Sequence, residues 1–291
     1  MGKTIEKCFP GFRVRRSTLI LSGWDNIVLD VNGEYIFRFP RFRESEKNLR
    51  KEIRLLPVLS KYLSTRIPKY EFVWKGNRGS PHWFAGYRRI DGIPVTIGAF
   101  RKAWTRKLAV DLGGFLNELH SREIPRSKLK DVPLYKPKDW VKLHRLLYRR
   151  VKRIVYPILD RDTRRLTEAF WERLLEESRD VAFDPTLIHG DLTDRNILFD
   201  PRRQKLTGIL DWSGPLFSDP AYDFAGLYEI NPTLGEKTLE EYNREKSGFT
   251  SRIPWYLNTM AFDEIVWGVT QNSEEYKTKG LRHLSRRILR T

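Results

Sequence analysis

Residues 187–212, LIHGDLTDRNILFDPRRQKLTGILDW, decide how this chain folds. Two short apolar runs, at 197–199 and 206–210, flank a polar turn with the sequence DPRRQ. Aspartate and proline at such a position favour a tight turn, so the stretch predicts a β-hairpin. Polar side chains stand at both ends of this hairpin, namely Asp191, Asn196 and Asp211.

The polar groups at the ends of the hairpin have the chemistry of a magnesium site. A carboxylate and an amide precede the first strand, and the second strand returns another carboxylate beside them. Mg²⁺ prefers hard oxygen ligands and takes few from protein, the rest coming from phosphate and water. We therefore expect Asn196 and Asp211 to hold Mg²⁺. The alternative is that these side chains only hydrogen-bond to the backbone of their loop.

The same stretch resembles the catalytic loop of protein kinases, H-R-D-L-x-x-x-N. The matching positions are His189, Asp191, Leu192 and Asn196, with Gly190 in place of the arginine. The His-Gly-Asp form resembles the aminoglycoside phosphotransferase and choline kinase group, which are small-molecule relatives of protein kinases. Residues 208–212, GILDW, and 218–225, SDPAYDFA, resemble that group's metal-binding aspartate and the element after it.

This resemblance implies an α+β, two-lobed protein-kinase-like fold. Residues 1–90 would form a nucleotide-binding N-lobe with a small antiparallel β-sheet, and residues 91–291 a mostly helical C-lobe with the catalytic loop and substrate site. The implied reaction moves the γ-phosphoryl of ATP or GTP to a hydroxyl of a small molecule, with Mg²⁺ bound. Asp191 would be the base that accepts or orients the hydroxyl proton, while His189 and Asp223 would brace the loop.

The N-terminal region predicts two strands joined by a tight turn. Asn32-Gly33 favours a hairpin turn between residues 27–31 and 34–39. The loop before them, LSGWDN at 21–26, takes the position in which a kinase covers the nucleotide phosphates with a Gly-rich loop. The resemblance assigns nucleotide contacts here to Ser22, Gly23 and Asn26. An ordinary hairpin loop is the alternative, because this loop has a single glycine.

Arg38 stands where kinases carry the lysine that pairs with the nucleotide phosphates. Its planar guanidinium suits both phosphate and a carboxylate partner, but its geometry differs from that of lysine. The helix predicted over 44–63 supplies the partner, for which we expect Glu52.

The segment YRRIDG resembles the family's hinge, which assigns nucleotide contacts to Tyr87 and Arg89. Backbone groups hold the purine in such a hinge, so the choice between ATP and GTP stays open.

The resemblance also implies where a substrate would bind. Aminoglycoside enzymes of the group bind polycations through acidic side chains of the large lobe. The acids assigned to that role here are Asp194, Asp219, Glu229, Asp263 and Glu264, and Trp267 would stack on or cap a sugar. These residues are also compatible with ordinary helix and loop positions. The substrate therefore stays open among aminoglycosides, macrolides, choline, homoserine and sugar-like metabolites.

Composition places the chain among globular proteins. It has 291 residues, of which 40% are apolar, enough to build one large domain or two lobes with real cores. It contains no run of eighteen apolar residues, and its first residues lack the apolar core of a signal peptide. The single cysteine, Cys8, cannot form an internal disulfide or a zinc site. We expect a cytoplasmic monomer with no membrane partner.

The charge is strongly positive, with 54 Lys and Arg against 37 Asp and Glu and a net charge of +17. Such a charge is compatible with nucleic-acid binding, but the basic residues are scattered and no nucleic-acid-binding motif accompanies them. We therefore expect a solvated charged surface and no nucleic-acid partner. The strongest exception is a helix predicted over 138–156, whose polar face is basic and could meet nucleic acid or a membrane.

Two other functions are weighed against a small-molecule kinase. A protein kinase is disfavoured because the catalytic loop lacks the usual arginine and no Ala-Pro-Glu segment follows Asp211. A catalytically inactive nucleotide-binding protein is supported only by the arginine at position 38. The complete set of Asp191, Asn196 and Asp211 argues against that reading.

Overall fold

The computed structural model describes residues 1–20, 25–95 and 102–287. They form two compact units. The first unit joins Met1–Asp131 to Asp191–Pro215, and the second joins Val132–Gly190 to Leu216–Thr291. The hairpin of the catalytic loop therefore belongs to the first unit. The lobe boundary near residue 90 stays a prediction.

The first unit contains a five-stranded antiparallel sheet in the order β1-β2-β3-β5-β4. Its strands are β1 (Ser17–Ile20), β2 (Asn26–Val31), β3 (Tyr35–Pro40), β4 (Tyr70–Trp74) and β5 (Phe84–Arg88). Asn32 and Gly33 have φ angles of 61° and 72°, the left-handed conformation that tight hairpin turns favour. The predicted small antiparallel sheet is confirmed.

The core against this sheet is apolar and rich in aromatic rings. Its buried members are Ile5, Cys8, Leu29, Val31, Phe37 and Phe84. The first two come from α1 (Gly2–Cys8), an N-terminal helix that the sequence did not lead us to expect. Gly86 in β5 is required by this packing, because a Cβ added there would lie 2.6 Å from the Phe37 ring.

Two longer helices and a second, smaller sheet complete the first unit. The helices are α2 (Arg43–Leu59) and α3 (Lys102–Leu119), and the sheet contains β6 (Ile93–Pro94), β8 (Ile197–Asp200) and β9 (Lys205–Ile209). The predicted helix over 44–63 is present but ends at Leu59, with Pro57 inside its last turn. The strands β8 and β9 pair antiparallel, so the predicted hairpin is confirmed.

The second unit is mostly helical, as predicted. Its helices are α4 (Pro137–Ile154), α5 (Arg161–Glu177), α6 (Ala221–Ile230), α7 (Pro232–Glu240), α8 (Phe249–Thr270) and α9 (Glu274–Arg287). A short antiparallel pair, β7 (Thr186–Ile188) and β10 (Leu216–Ser218), adjoins them. Trp171 lies at the centre of the packing, with ring centroids 5.2 Å from Tyr148 and 5.3 Å from Phe262. Across the described ranges, no helix combines the length and apolar character needed to cross a membrane.

Candidate functional site

The β8–β9 hairpin carries the candidate site, and two hydrogen bonds donated by its backbone N–H groups help to fix its position. The Leu206 N–H donates to the Asp111 carboxylate on α3 at 2.8 Å. The Leu210 N–H donates to the carbonyl of Asn196 at 2.8 Å. Because Leu210 immediately precedes Asp211, the second bond brings both predicted magnesium ligands to the same end of the hairpin.

Asn196 uses one end of its amide to hold the catalytic loop. Its Nδ2 donates to the backbone carbonyl of Asp191 and to the Oδ2 of the same residue, each at 2.9 Å. The amide nitrogen is therefore occupied, and Oδ1 is the atom that can bind a cation. Asn196 is buried whereas Asp191 is exposed. The Asp191 carboxylate is thus accessible to a substrate while a buried side chain fixes its position.

Asp211 is held in a backbone conformation that few residues other than glycine adopt. Its φ is 59°, in the left-handed region, which costs a non-glycine residue about 1–3 kcal/mol where the fold imposes it. Its side chain is 39% exposed, and Oδ1 lies 3.4 Å from Nη2 of Arg38. The strained backbone therefore presents a carboxylate beside a cation.

The expected pair between Arg38 and Glu52 forms inside the first unit. Nη1 of Arg38 lies 2.9 Å from Oε1 and 2.7 Å from Oε2 of Glu52. The two side chains are 9% and 0% exposed, so the pair is desolvated. A charge buried in this way is tolerated only with a close partner, which makes each residue depend on the other.

The electrostatics of this pair keep a permanent cation at the site. Burial by itself lowers the pKa of the Arg38 guanidinium, but the carboxylates of Glu52 and Asp211 outweigh it and hold that pKa well above its usual value. Burial raises the pKa of the Glu52 carboxyl, against the effect of neighbouring Arg38. Burial likewise raises the pKa of the Tyr87 hydroxyl beside them to about 12.

The predicted phosphate loop lies only partly within the described residues. Ser22 and Gly23 lie outside the described residues. Asn26 begins β2 and is buried, and its Oδ1 has no hydrogen-bond partner within the described parts of the chain. The nucleotide contacts assigned to these three residues stay predictions.

The two residues assigned to the hinge differ in their surroundings. Tyr87 is buried in β5, where its ring meets Tyr70 edge-on with centroids 5.5 Å apart. Arg89 follows β5 and forms an ion pair with Asp30 at 2.8 Å. Since its side chain is turned to the sheet, the contact with nucleotide that we expect from Arg89 is one of its backbone.

In the second unit, Asp223 anchors the start of the catalytic loop. Its carboxylate accepts the His189 N–H at 2.8 Å and the Gly190 N–H at 2.9 Å. Gly190 has a φ of 78°, which an arginine would adopt only with strain. This backbone geometry accounts for glycine in place of the kinase arginine. The brace expected from Asp223 is present.

One acid assigned to the substrate is instead part of the second unit's interior. Asp219 is fully buried, and its Oδ2 lies 2.6 Å from Nε of Arg252 and 2.9 Å from the hydroxyl of Tyr256. Both partners lie on α8 and satisfy the carboxylate within the fold. We therefore do not carry Asp219 forward as a substrate residue.

Two further acids already have cationic partners on α9. Glu229 lies 3.1 Å from Nε2 of His283 and pairs with Arg287. Glu264 lies 2.8 Å from Nδ1 of the same histidine and 2.6 Å from Nζ of Lys279. A polycation would have to compete with these side chains, so the acidic substrate pocket is weaker than the sequence led us to expect.

The remaining substrate assignments have more open positions. Asp263 and Trp267 are exposed on α8, the latter with 42% of its surface accessible. Asp194 lies in the first unit within the catalytic loop and is half-buried. Their contact with a substrate stays a prediction.

Two residues near the site escaped the sequence analysis. Tyr70 donates to Oε2 of Glu52 at 2.8 Å and accepts from Nη1 of Arg38 at 3.2 Å. Asp111 holds the β8–β9 hairpin from 95 positions away. Neither has a local signal, because a tyrosine opening a strand and an aspartate in an amphipathic helix both suit ordinary positions.

Solved structures resemble this chain over nearly its whole length. One is the GDP and kanamycin complex of APH(2")-IIIa, with a TM-score of 0.87, 25% identity, and coverage of 98% of this chain and 96% of that chain. Another is macrolide 2'-phosphotransferase type I, with a TM-score of 0.75, 20% identity, and coverage of 94% and 92%. These similarities confirm the protein-kinase-like fold that the catalytic loop predicts.

Sequence comparison finds a curated relative that matches only part of the chain, and a protein family whose model matches most of it. The uncharacterized protein YcbJ of Bacillus subtilis (strain 168) is 33% identical over 102 residues, which cover 33% of this chain and 32% of that protein. The matched part thus spans about a third of the length of this curated relative. The model of the phosphotransferase enzyme family matches residues 17–255. With its catalytic-loop residues in place and its fold shared with aminoglycoside and macrolide phosphotransferases, the chain belongs to the phosphotransferase enzyme family.

Proposed function

We propose that this protein transfers the γ-phosphoryl of ATP or GTP to a hydroxyl of a small molecule. The observation that carries the proposal is the arrangement around the β8–β9 hairpin. One compact unit brings together an accessible carboxylate, a fixed amide oxygen, a second carboxylate and a permanently charged guanidinium, from Asp191, Asn196, Asp211 and Arg38. Phosphoryl transfer needs little covalent help, so positioning and charge neutralisation supply most of the catalysis.

Asp191 is the proposed base. Its carboxylate is exposed, and Nδ2 of Asn196 fixes one of its oxygens at 2.9 Å. In this role it orients the acceptor hydroxyl and takes its proton as the oxygen forms its bond to the γ-phosphorus. The bond from that phosphorus to the β-phosphate oxygen breaks, and the nucleoside diphosphate leaves.

The donor set at the end of the hairpin fits Mg²⁺. Oδ1 of Asn196 and the carboxylate of Asp211 are hard oxygens, the ligand type that Mg²⁺ prefers, and these two residues would hold the ion. Among the described residues no group of three or more His, Cys, Asp and Glu could hold a metal, which is compatible with a cation bound partly by its substrate. When bound, Mg²⁺ would neutralise charge on the β- and γ-phosphates.

Arg38 is proposed to hold the α- and β-phosphates. Glu52 occupies Nη1, while Nη2 is directed to Asp211, one of the two residues that would hold Mg²⁺. A guanidinium donor aimed at phosphate forms a strong charge-assisted hydrogen bond. This placement argues against an inactive protein whose cation has lost its function.

We also propose which nucleotide donates the phosphoryl group and which kind of molecule accepts it. One similar structure contains GDP with kanamycin, and another, 21% identical, is a streptomycin-ATP ternary complex of APH(2")-IIa. Either purine nucleotide is therefore a reasonable donor here. The occupied carboxylates Glu229 and Glu264 make a strongly cationic acceptor less favourable than a neutral or weakly charged one. We further propose a cytoplasmic monomer without membrane or nucleic-acid partners.

The test is release of nucleoside diphosphate by the purified protein with Mg-ATP or Mg-GTP. The acceptor panel would contain kanamycin, gentamicin, a macrolide, choline, homoserine and simple sugars, with phosphorylated product identified by mass spectrometry. We expect release that depends on one class of compound. Failure of both nucleotides to bind in the presence of Mg²⁺ would contradict the proposal, and transfer to protein substrates alone would favour a protein kinase.

A further inference from the structure

Arg38 and Glu52 pair in a geometry that leaves the guanidinium incompletely fixed. Both carboxylate oxygens bind the same nitrogen, Nη1, at 2.9 and 2.7 Å. The stronger arrangement of such pairs uses two parallel bonds to two different nitrogens, which fixes the plane of the guanidinium. Another nitrogen, Nη2, makes a long contact of 3.4 Å with Oδ1 of Asp211, so a further group is needed to hold Nη1 on the side of Glu52.

Tyr70 supplies that group. Its hydroxyl donates to Oε2 of Glu52 at 2.8 Å and accepts from Nη1 of Arg38 at 3.2 Å, which closes a three-membered network. Nη2 is then left on the side of Asp211, 3.4 Å from its Oδ1. Burial raises the pKa of the Tyr70 hydroxyl well above its usual value, so the hydroxyl keeps the proton that it donates.

The sheet places this hydroxyl by a local irregularity. Tyr70 opens the edge strand β4, and the pairing of β4 with β5 shifts register between Tyr70 and Phe72. An irregularity of this kind changes the direction of a side chain and often occurs beside functional sites. The ring is also held edge-on by Tyr87 at 5.5 Å. The register shift and the contact with Tyr87 therefore direct the Tyr70 hydroxyl towards Arg38.

We infer that Tyr70 is a positioning residue that fixes which nitrogen of Arg38 faces the nucleotide phosphates. The inference rests on the proposed phosphotransfer function and goes beyond it by assigning a role to a residue outside the family's motifs. A lysine at position 38 would present a single ammonium group with no plane to orient. An arginine at position 38 therefore needs the Tyr70 hydroxyl to orient it, whereas a lysine would not.

The test is a double-mutant cycle read by nucleotide binding, with Mg-ATP and Mg-GTP titrated calorimetrically. Tyr70→Phe removes only the hydroxyl and keeps the ring against Tyr87. In the wild-type background we expect it to raise the Kd of the bound nucleotide about 5–20-fold, since the hydroxyl bonds two charged groups. In an Arg38→Lys background the same change should alter the Kd less than about 2-fold, because lysine needs no orientation.

Tyr35→Phe is the matched control. Its hydroxyl accepts from Arg88 at 3.0 Å on the same sheet, away from Arg38, and the change should leave nucleotide affinity unaltered. Equal effects of Tyr70→Phe in the arginine and lysine backgrounds would overturn the inference while leaving the proposed function intact. Absence of nucleotide binding by the wild-type protein would overturn both.

A second measurement does not depend on the lysine variant. In wild-type protein labelled with ¹⁵N, the Nη1 and Nη2 signals of Arg38 should be separate, because the network prevents rotation of the guanidinium. In Tyr70→Phe they should broaden or merge. Two sharp, separate signals in Tyr70→Phe would show that the guanidinium is fixed without the Tyr70 hydroxyl and would overturn the inference.

Discussion

Gly190 and Asp211 both have left-handed backbone, and this conformation serves a different purpose at each position. Gly190 has a φ of 78° and offers its N–H to Asp223, while Asp211 has a φ of 59° and presents a carboxylate. Glycine adopts this conformation without cost, but aspartate does not. Glycine at position 190 therefore avoids backbone strain. At position 211 the backbone is strained, and this strained conformation places a carboxylate oxygen at the candidate site.

Replacing Gly190 tests this difference. We expect Gly190→Ala to lower the free energy of unfolding by about 1–2 kcal/mol, because alanine at positive φ is strained and shifts the N–H that Asp223 binds. Gly114→Ala is the control, since Gly114 lies within α3 and an added Cβ meets nothing within 4 Å. That change should leave stability unaltered or raise it by about 0.5–1 kcal/mol. Urea unfolding measures both, and equal losses would contradict the account.

At the scale of elements, the β8–β9 hairpin depends on a helix that is distant in sequence. The Asp111 carboxylate on α3 accepts the N–H of Leu206, a buried residue of β9, at 2.8 Å. An unpaired buried N–H costs about 1–3 kcal/mol, so this single carboxylate stabilises β9, which ends at Ile209 shortly before Asp211. The geometry of the candidate metal site is thus partly set from α3.

We predict that Asp111→Ala lowers the free energy of unfolding by about 1–3 kcal/mol and reduces turnover more than nucleotide affinity. Asp131→Ala removes the same charge from the same unit, but it breaks only an ion pair with Arg54 in which both side chains are 60% exposed. Its effect should stay below about 1 kcal/mol. Chemical unfolding and steady-state kinetics measure the two effects. The account of the hairpin would be wrong if both variants lost stability equally.

The elements themselves were largely predictable, whereas the contacts between them were not. The hairpin, the N-terminal sheet and the helix with Glu52 follow from apolar periodicity and turn residues, which are local signals. The network of Tyr70, and the cations on α9 that occupy Glu229 and Glu264, join positions far apart in the chain. Such partners depend on tertiary packing, which periodicity does not encode.

At the scale of the whole molecule, positive charge dominates. Exposed cations line one face of α4, namely Lys138, Lys142, Arg145, Arg149, Lys152 and Arg153, and none has an ion-pair partner in the described ranges. Like charges three and four positions apart destabilise a helix, so this face lowers the stability of α4 slightly. A solvated role for this face stays our prediction, and contact with nucleic acid or membrane is its alternative.

A histidine on the buried face of α4 should make the free energy of unfolding depend on pH in the acid range. His144 packs against Trp140 with ring centroids 3.8 Å apart, and burial lowers its pKa to about 4. Below about pH 6.5 the unfolded chain takes up a proton that the folded protein does not, so stability should fall by up to about 3 kcal/mol as the pH approaches 4. His144→Gln should remove that part of the pH dependence in thermal unfolding. Parallel pH profiles for the two proteins would contradict this.

The central claim, that Asp191 is the base of a phosphotransferase, is tested most directly by Asp191→Asn. Nucleotide affinity and turnover should be measured on one preparation, with the acceptor identified from the panel. We predict a turnover lower by about 10²–10⁴-fold, because the amide cannot take the proton, and a nucleotide Kd within about 3-fold of wild type. Near-normal turnover in Asp191→Asn, with nucleotide still bound, would show that the base lies elsewhere.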